Sequence, residues 1–136
     1  MSTIHPGRFS AEIEGDFVVF LIGMRVNKLW RPDKWLPTAA AMPAMMAELH
    51  QHPELGFLGA ENYYRLPPLT TCMLSYWRSF AHLEAFARGA QHSHLPAWKR
   101  FNQVVGGDGT VGIWHETYLV PAGAYETLYG NMPLFG

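Results

Sequence analysis

Apolar and polar positions alternate in two distinct rhythms along this chain. Phe17 to Asn27 has Val18, Phe20, Ile22, Met24 and Val26 on one face of a strand, and Phe17, Val19 and Leu21 on the other. Both faces are apolar, so both need cover. Met42, Met45, Met46 and Leu49 recur at i, i+3, i+4 and i+7, the stripe of a helix. Thr38 is its candidate cap, Pro43 a kink or its true start, and His52-Pro53 its end. Phe57 to Leu66 and Leu69 to Arg78 read as strands joined at Pro67-Pro68 in an antiparallel hairpin. Ser79 is a candidate N-cap for a second helix carrying Phe80, Leu83, Phe86 and Ala87, with Gly89 near its end. Ser93 can cap a short third helix with Trp98, Phe101 and Val105 on one face, stopped by Gly106-Gly107. Thr110 to Val120 is the last strand, ended by Pro121.

The order is β-α-β-β-α-β with an extra short helix, the ferredoxin-like split arrangement of an α+β domain. Its helices cover one face of the sheet. The other apolar face calls for a second copy, which predicts a homodimer built as a dimeric α/β barrel. Residues 1–16 read as an N-terminal arm, Lys28 to Pro37 as a loop, and residues 121–136 as a tail that wraps the partner or caps a pocket. No repeat or linker divides residues 1–136, which read as a single domain.

Composition sharpens this picture. Apolar residues make up 49% and charged residues 15%, against a usual charged share of about a quarter. A surface so short of charge meets a ligand or a partner. A formal net charge of −1 argues against nucleic acid, which selects a basic face. The longest apolar run, Phe17 to Met24, is too short for a bilayer. The single cysteine, Cys72, excludes an internal disulfide and, with no secretory signal in view, predicts a cytoplasmic protein.

The candidate chemistry lies in the histidines. His115 shares its strand face with Val111, Ile113, Thr117 and Leu119, whereas Trp114, Glu116 and Tyr118 occupy the other. The pattern aims His115 between sheet and helices, as an acid–base group in a dry pocket or as a core histidine bonded to backbone. Glu116 points the opposite way and cannot orient it. His92 and His94 stand between two helices, with Arg88, Lys99 and Arg100 close in sequence. A histidine there is a candidate ligand for a metal or haem iron, or a plain capping residue. The basic residues could pair with haem propionates, and Trp98 and Phe101 could line a flat macrocycle. His-x-His is a weak zinc signal, and no Cys/His cluster completes one. His50 and His52, two apart on a helix end, diverge. Cys72 has no catalytic motif around it. Trp30 and Trp35 are a candidate lid or a loop anchor. Gly106-Gly107-Asp108-Gly109 lacks the lysine and strand of a phosphate loop.

Two resemblances rest on these residues. Trp30-Arg-Pro-Asp-Lys-Trp-Leu-Pro37, Tyr76-Trp-Arg-Ser79, Ile113-Trp-His-Glu-Thr-Tyr118 and Tyr129-Gly-Asn-Met-Pro133 resemble a family of small proteins named after a fumagillin-pathway polyketide monooxygenase. That resemblance implies the dimeric α/β-barrel group, which includes cofactor-free monooxygenases and haem enzymes. Residues 76–117 are also similar to the haem-binding part of aldoxime dehydratases. The matching segments are Tyr76-Trp-Arg-Ser79, Leu83-Glu-Ala-Phe-Ala87, His92-Ser-His94 and His115-Glu116. This second resemblance implies haem b with His94 as axial iron ligand, His115 as distal acid–base group, and Trp98, Phe101 and Arg88 around the cofactor. It leaves His92 as the competing ligand. Aldoxime dehydratases carry two related halves, of which this chain has one.

Three functions follow as expectations. The first is a haem-dependent enzyme with aldoxime-dehydratase-like or monooxygenase-type chemistry on a small apolar or aromatic substrate. The second is a cofactor-free monooxygenase of an aromatic or polyketide-like molecule, with His115 as base. The third is a non-catalytic dimeric ligand-binding module.

Overall fold

A computed structural model describes residues 2–89 and 94–136, with the backbone alone at 94 and 95. Six strands and three helices follow in the order β1 (His5–Phe9), β2 (Phe17–Val26), α1 (Pro32–Gln51), β3 (Phe57–Arg65), β4 (Thr70–Trp77), α2 (Phe80–Arg88), α3 (His94–Val104), β5 (Val111–Val120) and β6 (Tyr129–Met132). The main sheet is antiparallel, in the order β3-β4-β2-β5. The first and last strands of the βαββαβ unit, β2 and β5, therefore lie side by side with β2 in the interior. This is the ferredoxin-like α+β fold that the hydrophobic pattern predicts.

Two apolar clusters hold helices to sheet. Val18, Leu49, Phe57, Trp77, Leu83 and Phe86 form the first. Trp77 meets Phe57 and Phe86 edge-on, at ring distances of 5.5 and 5.8 Å, a favourable aromatic geometry. Its indole donates to Ser75 Oγ at 3.0 Å, and that hydroxyl donates to the Phe20 carbonyl at 3.1 Å. The fully buried Ser75 is thus satisfied, as a core polar group must be. Met24, Val26, Val105 and Val111 form the second cluster, with Trp35 and Phe101 against it. On β2, Val18 belongs to one cluster and Met24 to the other, and Ile22 falls between them. The two cores do not merge.

Helix α1 begins earlier than the sequence pattern suggests. Residues Pro32 to Pro37, expected as loop, are helical. Pro32 sits in the first turn, where its missing N–H costs nothing, and Asp33 complements the positive helix end. Arg31 holds Asp33 through two bonds of 3.0 and 2.9 Å. Thr38 is consequently inside the helix and caps nothing, while Pro37 and Pro43 each remove a rung from its ladder. Lys34 ties the helix down: its ammonium donates to the Val104 carbonyl at 2.6 Å and lies 3.4 Å from Asp108. Asp108 also accepts from the Thr110 amide and hydroxyl, and those bonds hold its carboxyl below the ordinary range. At α2 the expectation stands, since Ser79 Oγ accepts from the His82 amide at 3.2 Å. Ser93 lies outside the described residues.

The arm and the tail form a structure of their own. β1 pairs with β6, Phe9 stacks on Tyr129 at 5.2 Å, and Thr127 Oγ1 bonds both the amide and the carbonyl of Ala11. The tail therefore pairs with its own N-terminal arm. Tyr125 packs edge-on against Phe17 from the sheet face away from the helices.

That outer face carries Val19, Leu21, Leu74, Tyr76, Trp114 and Tyr118 by register. Gly23 is the close-approach point. A Cβ there would clash with the Thr71 carbonyl oxygen and with the Trp114 ring. Gly23→Ala is therefore expected to cost roughly 1–3 kcal/mol, the scale of overpacking, as a lowered denaturation midpoint. An unchanged midpoint would show that the β4 backbone at Thr71 and the Trp114 ring both give way freely.

Candidate functional site

The gap between the two cores is a cavity of about 1180 Å³. Its floor is a row across the sheet in which Asn62 faces Met73, Met73 faces Ile22, and Ile22 faces His115. Met42, Met45 and Met46 of α1 form its roof, and Trp98 and Phe101 of α3 close one side. The two rings lie nearly parallel, 5.9 Å apart with a 15° interplanar angle. Methionine makes such a roof adaptable, being unbranched and polarisable. Small-molecule pockets commonly span about 300–1000 Å³ with a few polar groups in an apolar lining; this cavity has such a lining and is somewhat larger.

His115 occupies the position its strand register demands. Its ring lies 5.7 Å from that of Phe20 and opens into the cavity. No lysine, arginine, aspartate or glutamate is among the described lining residues. His115 is consequently the group there best suited to move a proton near neutral pH. His115 is exposed in the single chain, at the open side of the cavity, so it is neither a packed core histidine nor, as the sequence suggested, enclosed in a dry pocket.

Glu116 is on the other face. It accepts from Trp114 Nε1 at 3.2 Å and from the Tyr118 hydroxyl at 2.5 Å, and that bond pushes the Tyr118 hydroxyl up from its ordinary range. Burial, with Glu116 adding to it, raises the Cys72 thiol. A raised thiol is a poorer nucleophile at neutral pH, which disfavours a catalytic Cys72. Burial likewise raises the Tyr76 hydroxyl.

The remaining candidates divide. Trp98 and Phe101 join His115 at the cavity. Arg88 does not line it: its guanidinium is exposed and lies 3.8 Å from Glu84 on the same helix. His92 lies outside the described residues, as does the side chain of His94, although the backbone of His94 opens α3. Trp30 is exposed, while Trp35 donates its indole N–H to the Leu29 carbonyl at 3.1 Å and anchors α1. Sequence reasoning missed Asn62 and the methionine roof as site residues. The 42/45/46 spacing was the available signal, but on its own it reads as ordinary core. Among the described residues no three His, Cys, Asp or Glu side chains gather as a metal site. No described helix is long and apolar enough to cross a membrane.

Known proteins share this architecture. Aldoxime dehydratase superposes with a TM-score of 0.71 at 17% identity, over 94% of this chain and 39% of that one. SnoaB, a cofactor-independent oxygenase from Streptomyces nogalater, gives a TM-score of 0.51 at 13% identity, over 76% of this chain and 91% of its own. At these identities the likeness is one of fold. Monooxygenase af470 of Aspergillus fumigatus is 27% identical over 149 aligned residues, covering 96% of this chain. The chain spans about half of that relative, 53% of its length. The family described as Monooxygenase af470-like matches residues 17–136, and the chain belongs to that family.

Proposed function

We propose that this protein is an enzyme that transforms a small, largely apolar molecule in the cavity between sheet and helices, with His115 as its acid–base group. The observation that carries this reading is the row Asn62, Met73, Ile22 and His115, which sets one imidazole in the floor of an apolar cavity. The family and the oxygenase and dehydratase neighbours support it.

The cavity also suits a b-type haem. Its volume would take a flat macrocycle beside Trp98 and Phe101, and His94, at the start of α3, is the residue proposed to hold the iron. Haem, when bound, supplies an iron centre that binds the nitrogen or oxygen of a small molecule. The chain does the rest. The methionine roof and the two rings would orient the substrate, and His115 would exchange a proton with it. In an aldoxime, His115 would protonate the departing hydroxyl as the N–O bond breaks and take back the proton on the neighbouring carbon. Nitrile and water result.

A second reading, a cofactor-free monooxygenase, is favoured by the same histidine. His115 would take the hydroxyl proton of a phenolic substrate, and the electron-rich anion would itself react with dioxygen. Either enzyme is proposed to work as a homodimer joined through the outer face of the sheet, which sedimentation at the mass of two chains would support.

The visible spectrum of purified protein titrated with haem separates the readings. The haem reading predicts a sharp Soret band saturating at one haem per chain. No band with excess haem would overturn it. Oxygen uptake by that colourless protein with an electron-rich phenol would then establish the second reading.

A further inference from the structure

A second cavity of about 300 Å³ lies between α1 and α3. It shares Thr38, Ala41, Ala97 and Phe101 with the large cavity, so the two adjoin along mostly small side chains. Small residues on both helices, Ala40 and Ala44 among them, keep this slot open. One charged side chain lines it, that of Arg100. No acidic side chain among the described residues pairs with Arg100.

We infer that Arg100 receives a carboxylate, and that the cavity's ligand is an apolar body with an acidic end lodged between α1 and α3. The inference rests on the ligand-binding reading of the large cavity and names the class of molecule that enters it. The large cavity offers no lysine or arginine among its described lining residues, so a carboxylate held there would meet no permanent cation to offset the water it loses. In the slot it meets a guanidinium whose planar fork matches its two oxygens. Ala97, one turn back from Arg100 on the same helix face, lines both cavities, and so does Phe101. One rigid helix thus grips the body and the acidic end of the same molecule. Both arginines are exposed, but Arg88 lies beside Glu84 on its own helix and lines neither cavity. The carboxylate can come from a haem propionate or from an apolar acid used as substrate.

The test compares each acid with its neutral counterpart on the full chain, in wild type, Arg100→Gln and Arg88→Gln. Haem and haem dimethyl ester are followed by the Soret band, and dodecanoic acid and dodecanol by tryptophan fluorescence. Circular dichroism checks that the variants fold. The expected result is that Arg100→Gln weakens an acid roughly tenfold to a hundredfold, the scale of one charge-assisted pair. The neutral form is unaffected, and Arg88→Gln changes neither. Dependence seen with haem assigns the propionate. Dependence seen with dodecanoic acid, in a protein that gives no Soret band, assigns the acid substrate and overturns the haem reading alone. Haem binding that is indifferent to Arg100 and to esterification, with dodecanoic acid equally indifferent, overturns the role of Arg100 and leaves the haem reading standing. Failure of wild type to bind any of the four compounds overturns both.

Discussion

Replacing His115 by alanine is expected to lower turnover by roughly 10²–10⁴-fold, the range contributed by a positioned acid–base group, while KM changes little. The argument is geometric. His115 opens from the middle of β5 into the cavity, and the described lining offers no carboxylate or lysine to take its place. The loss should appear in kcat with an aryl aldoxime or an electron-rich phenol, because the proton moves only as the reaction proceeds. The fold should persist, since His115 belongs to neither apolar cluster. Retained kcat would return His115 to a merely structural histidine. Retained binding with no turnover in wild type would favour a ligand-binding module.

Replacing His94 by alanine is expected to abolish the Soret band of the haem-loaded protein, and His92→Ala to preserve it. His94, Trp98 and Phe101 stand at i, i+4 and i+7 in sequence, a spacing that shares one helical face, and the last two line the cavity. Added imidazole should restore the band in the His94→Ala protein by filling the vacated iron position. A band unchanged in His94→Ala, or lost instead in His92→Ala, would reassign the ligand.

The frame of the fold is legible in the sequence because period-two and period-3.6 patterns report directly on buried faces. Val18 to Val26 and Val111 to Leu119 announce the strands that carry the site, and the alternation alone separates His115 from Glu116. The arm and tail were harder to read. Their pairing depends on partners such as Thr127 with Ala11, more than a hundred residues apart, and no local pattern encodes that. The start of α1 was obscured by Pro32 and Pro37, which read as breakers in a segment where one of them opens a helix. The cavity itself has no sequence signature. Met42, Met45 and Met46 would read the same way if they packed onto the sheet, and only the separation of the two cores leaves them lining a space.

Several segments that carry the family resemblance serve the fold. In Tyr76-Trp-Arg-Ser79, Trp77 fills the first core, Arg78 donates to the carbonyls of Glu14 and Asp16, and Ser79 caps α2. In Trp30-Arg-Pro-Asp-Lys-Trp35, Arg31 holds Asp33, Lys34 latches α1 to the end of α3, and Trp35 joins the second core. These segments build the walls of the cavity rather than its chemistry. Such a division explains how a likeness over most of the chain can carry the architecture with few reactive side chains.

The central claim is that the working site is the cavity between the sheet and the three helices. A crystal structure grown with saturating haem and an electron-rich phenol tests it most directly. The account predicts ligand density between the methionine roof and the Ile22–His115 floor, with a ligand polar atom within hydrogen-bond reach of His115. Ligand density on the outer face of the sheet instead, with this cavity left to water, would contradict it.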